Sequence, residues 1–274
     1  CTATATDETG AYVEDSAEVT VLNTAPTIEL TVAPTSARVG DTLTCSAIAS
    51  DADGEEPEVS YEWSVGATGP TYTVNATDDP GATITCTATA NDVDGGTATA
   101  SASASVLNTD PVFVDISVTP PTGAVGDTLL CAATATDADG EEPTITFAWS
   151  DAVTGASRVL SPESDPGTVL TCTATATDED GGVVSATADA TVTNTLPTID
   201  SVAVSPETGK VGDTLTCTAT ASDADGDTPT ITYEWTDGSV EATYIIDSAD
   251  DPGDTITCTA TATDETGAYV EDSA

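Results

Sequence analysis

The segment Thr83-Ile84-Thr85-Cys86-Thr87-Ala88-Thr89-Ala90 decides the fold, because its residues alternate between apolar and hydroxyl side chains. This two-residue period places the four threonines on one face and the apolar side chains on the other, as in a β-strand. The segment 42–49 alternates in the same way around Cys45. No segment of useful length shows the 3.6-residue period of a capped helix, so the sequence predicts an all-β chain.

The seven cysteines divide the chain at two alternating intervals. These intervals are 44, 41, 45, 41, 45 and 41 residues, and we interpret the 41-residue interval as lying within a repeat unit. This predicts the disulfides Cys45–Cys86, Cys131–Cys172 and Cys217–Cys258, and leaves Cys1 over. Each would close a loop of about 42 residues, which stabilises a domain by about 3.9 kcal/mol in the chain-entropy model. Paired cysteines also indicate an oxidising, extracellular or cell-surface location.

The two ends of the chain carry the same sequence. Residues 1–17 and 258–274 are identical, which gives a period of 257 residues, or three units. We therefore expect a window on a longer tandem array, with immunoglobulin-like sandwich domains over 25–109, 110–195 and 196–274. Residues 1–24 would be the C-terminal part of a preceding domain, and the last domain would lack most of its final strand. If 274 residues were the whole chain, terminal strands of separate copies would have to complete each other's sandwich.

Short linkers and regularly spaced turns separate the predicted strands. The linkers are Asn23–Pro26, Asn108–Pro111 and Asn194–Pro197, where proline ends the preceding strand and stiffens the joint. They are too short to act as flexible tethers. Turn residues recur every 8–12 positions, as in Val39-Gly40-Asp41 and Asp79-Pro80-Gly81. This spacing predicts seven short strands per unit in an antiparallel β-sandwich.

One tryptophan follows the first cysteine of each pair by 18 residues. These tryptophans are Trp63, Trp149 and Trp235. The Cys…Trp…Cys order is that of immunoglobulin domains, and the chain resembles the tandem immunoglobulin-like and PKD-like repeats of bacterial surface proteins. The resemblance implies all-β, tandem immunoglobulin-like antiparallel β-sandwich domains arranged as beads on a line, with these tryptophans in the core against the disulfides. The chain departs from the pattern because Ile84, Leu170 and Ile256 stand where a tyrosine corner needs tyrosine, and because Trp63-Ser64-Val65-Gly66 only partly matches the PKD motif.

The charge balance excludes several classes of function. The chain has 48 acidic residues, three basic residues and no histidine, for a formal net charge of -45. A nucleic-acid partner needs cationic groups, and an anionic membrane surface would repel the chain. Without histidine, no Ser-His-Asp or Cys-His set can form, so we expect no enzyme. No apolar run is long enough for a transmembrane helix, so no membrane insertion is expected in this segment.

The carboxylates concentrate in two turns per unit, one after each cysteine of the pair. The upstream acidic turns contain Asp51, Asp53, Asp137, Asp139, Asp223 and Asp225. The downstream acidic turns contain Asp92, Asp94, Asp178, Asp180 and Asp264. In an immunoglobulin-like sandwich both turns lie where the chain enters the domain, so they would face the linker and the Asp-Pro-Gly loop of the preceding unit. Two interpretations remain: Ca²⁺ sites that stiffen the joints, or solvated turns in which Asp-Gly is an ordinary turn pair.

The outward face of the strands is rich in threonine, which makes up about a fifth of the chain. These side chains either serve β-propensity alone or also carry O-linked glycans. The repeat favours a structural segment of an extracellular filament, stalk or surface fibre, with further copies of the same repeat as its partners. The alternative is an adhesin stalk or binding module that recognises a glycan or a host or cell-surface protein.

Overall fold

A computed structural model describes all 274 residues, and it confirms the all-β, immunoglobulin-like sandwich fold. The chain divides into two compact units, Cys1–Asp110 with Asp137–Glu141, and Pro111–Thr136 with Glu142–Ala274. No helix is present that could cross a membrane. The domain limits at 24/25, 109/110 and 195/196 stay predictions.

Strands occur in a hairpin at residues 1–17 followed by three sets with the same order. The hairpin consists of β1 (Thr2–Thr6) and β2 (Tyr12–Ser16). The first sandwich contains β3 (Thr27–Ala33), β4 (Ser36–Ala37), β5 (Thr42–Ser50), β6 (Glu58–Trp63), β7 (Thr71–Thr73), β8 (Thr83–Asn91) and β9 (Thr97–Val106). The second contains β10 (Val112–Thr119), β11 (Thr122–Gly123), β12 (Thr128–Thr136), β13 (Thr144–Trp149), β14 (Ser157–Val159), β15 (Val169–Thr177) and β16 (Val183–Val192). The third contains β17 (Thr198–Ser205), β18 (Thr214–Ser222), β19 (Thr230–Trp235), β20 (Thr243–Ile245), β21 (Cys258–Thr263) and β22 (Tyr269–Ser273).

Each set of strands forms two sheets. In the first sandwich the strand orders are β3-β5-β7 and β4-β9-β8-β6, and the second repeats them as β10-β12-β14 and β11-β16-β15-β13. The short β4 and β11 pair in parallel with the ends of β9 and β16, and the other pairs are antiparallel. The third sandwich has the orders β17-β18-β20 and β19-β21-β22 without a counterpart of β4, because β22 is only five residues long.

The alternating strands build the core as their period requires. Cys86 and Ala88 of β8 are fully buried, whereas the threonines that alternate with the apolar residues of this strand face outward. Trp63 pairs directly with Cys86 in the β6–β8 register and is 1% exposed. Its indole Nε1 donates a hydrogen bond to the Gly69 carbonyl at 3.0 Å, so the buried polar atom is satisfied.

The other two sandwiches repeat this core. Trp149 and Trp235 are 3% and 2% exposed, pair with Cys172 and Cys258, and donate to the carbonyls of Gly155 and Glu241. The disulfides are Cys45–Cys86, Cys131–Cys172 and Cys217–Cys258, with Cα–Cα separations of 6.3–6.4 Å, and Cys1 is free and exposed.

A β-bulge accounts for the unequal cysteine intervals. In β10 the register shifts between Phe113 and Asp115, and in β17 it shifts between Ile199 and Ser201, whereas β3 pairs with β5 without a shift. Each bulge inserts one residue between the linker and the first cysteine of the sandwich. This residue makes the interval 45 rather than 44.

The outward hydroxyls of neighbouring strands bond to each other. Thr85 and Ser103 approach to 2.9 Å, as do Thr87 and Ser101, across β8 and β9. Such cross-strand pairs stabilise a sheet. The threonine-rich face therefore has a structural role of its own, and O-glycosylation stays a prediction.

Candidate functional site: the joints between repeats

The linker that enters each sandwich is bound by the second aspartate of the upstream acidic turn. In each case the backbone N–H of the linker threonine donates to that carboxylate. The bonds are Thr24–Asp53 at 2.7 Å, Thr109–Asp139 at 2.6 Å and Thr195–Asp225 at 2.6 Å. Asp139 and Asp225 are 6% and 5% exposed, so their charged hydrogen bonds are partly shielded from water, whereas the bond to Asp53 is exposed.

The first aspartate of the same turn shapes the turn itself. Its Oδ1 accepts the backbone N–H of the second aspartate, which is an Asx turn. The bonds are Asp53–Asp51 at 2.7 Å, Asp139–Asp137 at 2.8 Å and Asp225–Asp223 at 2.7 Å. The glycine that follows has a φ of 91–95°, which is in the left-handed region that favours glycine. One carboxylate therefore sets the turn and the other binds the linker.

The downstream acidic turn binds the linker asparagine. Asn23 Nδ2 donates to Asp92 Oδ2 at 3.0 Å, and Asn194 Nδ2 donates to Asp264 Oδ2 at 2.9 Å. The other oxygen of the aspartate closes its own turn by accepting a backbone N–H, as Asp178 does from Gly182 at 2.7 Å. Asp92, Asp178 and Asp264 are all buried.

These hydrogen bonds favour the ionised carboxylate. The amide of Asn23 is the main cause that lowers the pKa of Asp92 below its ordinary value. At Asp264 burial acts to raise the pKa, but the hydrogen bonds from Asn194 and Thr266 outweigh it and the pKa is lowered. By contrast, Asp94 and Asp180 are exposed and make no hydrogen bond to a linker.

The upstream acidic turn also packs against a loop of the preceding sandwich. A Cβ on Gly226 would lie 3.3 Å from the Pro162 carbonyl oxygen, which belongs to the loop between β14 and β15. A Cβ on Gly140 would lie 3.2 Å from the Ala76 carbonyl oxygen, in the loop between β7 and β8. Each contact lies within one compact unit. The turn therefore meets both the linker and the loop that topology predicts for it.

A tyrosine–aspartate pair fixes two of these loops, and sequence reasoning missed it. The Tyr72 hydroxyl donates to Asp78 at 2.7 Å, and the Tyr244 hydroxyl bonds to Asp250 at 2.9 Å. Burial and the bond to Asp78 raise the pKa of Tyr72 to about 12. The bond to Asp250, followed by burial, raises the pKa of Tyr244 to about 12.

The second sandwich uses different residues at the same place. There Arg158 stands in the position of the tyrosine and donates to the Ser164 hydroxyl at 3.3 Å. Its Nε also pairs with Asp151 at 2.6 Å. The contact between strand and loop is thus kept while its chemistry changes.

Other carboxylate oxygens at the joints lack a hydrogen-bond partner. Asp51 Oδ2, Glu55 Oε2 and Asp223 Oδ2 are buried atoms without one. Burial is the main cause that raises the pKa of Glu55, followed by the charges of Asp94, Asp92 and Asp51. Burial likewise raises the pKa of Asp227, together with Glu265 and Asp223. These carboxylates repel one another, and the backbone N–H bonds that Asp51, Glu55 and Asp223 accept leave one oxygen of each without a partner.

Two further buried oxygen atoms lack a hydrogen-bond partner because of one side-chain rotation. Asp139 Oδ1 and Thr109 Oγ1 are both buried without a partner, whereas the equivalent Thr195 Oγ1 donates to Asp225 Oδ1 at 2.9 Å. Rotation of the Thr109 side chain would make the same bond, so this pair needs no ion.

The predicted Ca²⁺ ligands do not form a metal-binding cluster. No group of three or more carboxylates or thiolates stands in an arrangement that could hold a metal ion. The structure brings some of the predicted aspartates to the linkers, where N–H groups occupy much of their hydrogen-bonding capacity; these are Asp53, Asp139, Asp225, Asp92 and Asp264. The linker residues that donate these bonds were not predicted from the sequence, although the recurring Asn-Thr pair was a usable sign. They are Asn23, Thr24, Thr109, Asn194 and Thr195.

Comparisons with known proteins add only weak likenesses. No protein-family model matches the chain, and no curated protein matches it. A "Ca2+-stabilized adhesin" that "helps an Antarctic bacterium reach out and bind ice" is 19% identical over 98% of this chain and 78% of its own, with a TM-score of 0.34. A "tetra-tandem repeat in extending region of large adhesion protein" is 20% identical over 100% and 79%, with a TM-score of 0.38. The protocadherin GammaB4 extracellular domain is 15% identical over 100% of this chain and 55% of its own, with a TM-score of 0.32. These TM-scores are too low for the likenesses to bear on function.

Proposed function

We propose that the chain is a structural repeat segment of an extracellular filament, stalk or surface fibre, whose joints resist bending. The observation that carries this proposal is the hydrogen bond from each linker threonine N–H to an upstream aspartate, made three times along the chain. A flexible tether leaves its polar groups in water, whereas these linkers are bound to the sandwich they enter. Three disulfides support an oxidising, extracellular setting.

Small-angle X-ray scattering of the full chain tests the stiffness of the joints. Replacing Asp139 and Asp225 with alanine removes the threonine bonds at two linkers, so we expect a broader distribution of interatomic distances. Asp180→Ala with Asp189→Ala is the matched control, because it removes the same charge from exposed positions. An unchanged distribution in the joint variant would contradict the proposal.

We further propose that Ca²⁺ binds carboxylates at the joints whose hydrogen bonding is incomplete, a set that only partly overlaps the predicted aspartates. In the first sandwich these are Asp51, Glu55 and Asp94, and in the third they are Asp223, Asp227 and Glu265. Support comes from the buried unpartnered oxygens and from the raised pKa values of Glu55 and Asp227. Bound Ca²⁺ would neutralise the repulsion, and the side chains would have to turn toward a shared ion.

Thermal unfolding in Ca²⁺ and in chelator, at equal ionic strength, tests this second proposal. We expect Ca²⁺ to raise the melting temperature of the wild-type chain and to raise it less when Glu55→Gln and Asp227→Asn are combined. If Ca²⁺ leaves the wild-type melting temperature unchanged, the solvated-turn interpretation is correct.

No observation favours the alternative of a glycan- or protein-binding module. The exposed aromatic side chains are Tyr12 and Tyr269, which occupy equivalent positions in the two identical hairpins. Binding surfaces usually gather several such anchors in one patch. O-glycans on the outward threonines remain a separate proposal, which the intact mass of the secreted chain would test.

A further inference from the structure

Six aspartates of the chain are followed directly by glycine, a pair that is prone to spontaneous rearrangement. The backbone nitrogen of the glycine can attack the aspartate side chain, because glycine has no side chain to obstruct the approach. The ring-forming residues are the same at all six sites, so the folded structure decides which of them react. The six aspartates are Asp53, Asp94, Asp139, Asp180, Asp225 and Asp237.

Hydrogen bonds hold the three aspartates of the upstream acidic turns. Asp53, Asp139 and Asp225 each accept the backbone N–H of a linker threonine. Asp139 and Asp225 are also buried, and the glycines that follow them lie against a loop of the preceding sandwich. Each of these side chains must give up a charged hydrogen bond before its Cγ can reach the glycine nitrogen.

Asp237 is exposed but is held in a different way. Its Oδ1 accepts the backbone N–H of Ser239 at 2.9 Å and the Ser239 hydroxyl at 2.7 Å. The Gly238 nitrogen, which would have to attack, donates its N–H to the Trp235 carbonyl at 2.8 Å. Both partners of the reaction are therefore engaged at this site.

Asp94 and Asp180, in the downstream acidic turns, lack these restraints. Both side chains are exposed, and neither carboxylate accepts a hydrogen bond. Gly95 and Gly181 are exposed as well, and a Cβ on either would contact nothing. Neither glycine N–H bonds to a backbone carbonyl. The Gly95 N–H lies close to the Asp92 carboxylate, which can accept the proton that the nitrogen loses in an attack.

We propose that Asp94 and Asp180 are sites of spontaneous isomerisation, at which aspartate is converted to isoaspartate through a cyclic imide. The glycine nitrogen bonds to the aspartate Cγ, and one carboxylate oxygen leaves as water with the amide proton and a proton from solvent. Water then adds to one of the two ring carbonyls. Addition at Cγ restores aspartate, whereas addition at the α-carbonyl leaves isoaspartate, in which the backbone runs through the side chain. The atomic composition of the chain is unchanged.

The rearrangement acts on a turn that binds a linker. Asp92 closes this turn by accepting the Gly96 N–H at 2.7 Å, and its other oxygen accepts the Asn23 amide at 3.0 Å. Isoaspartate at position 94 adds one atom to the backbone inside the closed turn, so we expect the hold on the linker to weaken as the chain ages. This inference goes beyond the proposed function and does not depend on it.

Peptide mapping of the folded chain after prolonged incubation tests the proposal, with a protease that cleaves beside aspartate but not beside isoaspartate. Chelator is present throughout, because Ca²⁺ at Asp94 would restrain that carboxylate. We expect isoaspartate at Asp94 and at Asp180 to exceed that at each of the other aspartates about tenfold or more, since a hydrogen bond to a charged group must first break at those sites. In the reduced, unfolded chain all six sites should react at similar rates.

Two single variants, Asp94→Asn and Asp225→Asn, provide a second test. Asparagine before glycine forms the same imide with loss of ammonia, and hydrolysis of the imide then changes the intact mass. We expect the mass of the folded Asp94→Asn chain to change about tenfold or more faster than that of Asp225→Asn, whose amide oxygen can still accept the Thr195 N–H.

The proposal is overturned if, in the folded chain, Asp94 and Asp180 form isoaspartate no faster than the four hydrogen-bonded aspartates do. It is also overturned if the two asparagine variants change mass at the same rate. Differences between sites that persist in the unfolded chain would equally contradict it, because the sequence rather than the fold would then set the rates.

Discussion

Replacing Asp225 with alanine should open the joint that enters the third sandwich. The Asp225 carboxylate is 5% exposed and accepts the Thr195 backbone N–H at 2.6 Å and the Thr195 hydroxyl at 2.9 Å. The substitution removes both acceptors and leaves a partly buried N–H without a partner. The fold of the sandwich itself does not require this carboxylate, because Asp223 Oδ1 still accepts the backbone N–H of residue 225.

The magnitude follows from the type of hydrogen bond that is lost. A hydrogen bond to a charged group contributes about 1.5–3 kcal/mol. A loss of about 2 kcal/mol corresponds to a roughly 30-fold increase in the equilibrium constant for local opening. The linker can open without unfolding a sandwich, so the effect should be local rather than global.

Amide hydrogen exchange at Thr195 measures this opening directly. We expect the Thr195 amide to lose about 30-fold of its protection in Asp225→Ala, while the amides of β18 and β21 keep theirs. Asp180→Ala removes the same charge from an exposed turn and should leave Thr195 unchanged. Asp225→Asn should retain part of the protection, because the amide oxygen can still accept. Equal Thr195 exchange in the wild type and in Asp225→Ala would refute the assigned role of this bond.

Three further predictions concern titration. In chelator, Glu55→Gln should stabilise the chain at neutral pH. The Glu55 pKa is raised above 4.5 in the folded chain, so ionisation of the wild-type side chain lowers stability. Denaturant unfolding should show that the gain disappears as pH falls below 4.5. Asn194→Ala should destabilise the chain above pH 3.8, because it removes a hydrogen bond that lowers the Asp264 pKa. The decrease in the free energy of unfolding should shrink as Asp264 becomes protonated at lower pH. A decrease that does not depend on pH would argue against the role of this bond. Absorbance of tyrosinate should show two of the six tyrosines ionising only at about pH 12, and Asp250→Asn should return one of them toward pH 10.

Much of the fold could be predicted because β-structure leaves a two-residue period. The alternation in β8 identifies its buried face, and the position of Trp63 between Cys45 and Cys86 places three strands of the sandwich. The bulges in β10 and β17 were visible only as a one-residue difference in cysteine spacing. That difference could not be located from sequence, because any of the 19 residues between linker and cysteine could hold the extra one.

The candidate site was located from sequence more successfully than its chemistry. Topology places the acidic turns beside the linker, as Thr195 and Asp225 show. However, the partners of these carboxylates are backbone N–H groups and an asparagine amide. Every residue except proline has a backbone N–H, so residue type does not identify Thr195 as a donor, and only the recurrence of the Asn-Thr pair in the linkers points to it. The division of roles between Asp223 and Asp225 likewise depends on turn geometry rather than on residue type.

At the joints of this chain, whose net charge is -45, negative charge is stabilised by N–H dipoles rather than by basic side chains. Three basic side chains cannot neutralise 48 carboxylates, whereas linker amides stabilise Asp92 and Asp264 in their ionised forms. Burial and, after it, the charges of Asp94 and Asp92 raise the pKa of the neighbouring Glu55. Salt screens the repulsion between exposed carboxylates, but it acts much less on short, buried hydrogen bonds. Rising ionic strength should therefore relieve the repulsion while the joints remain bound.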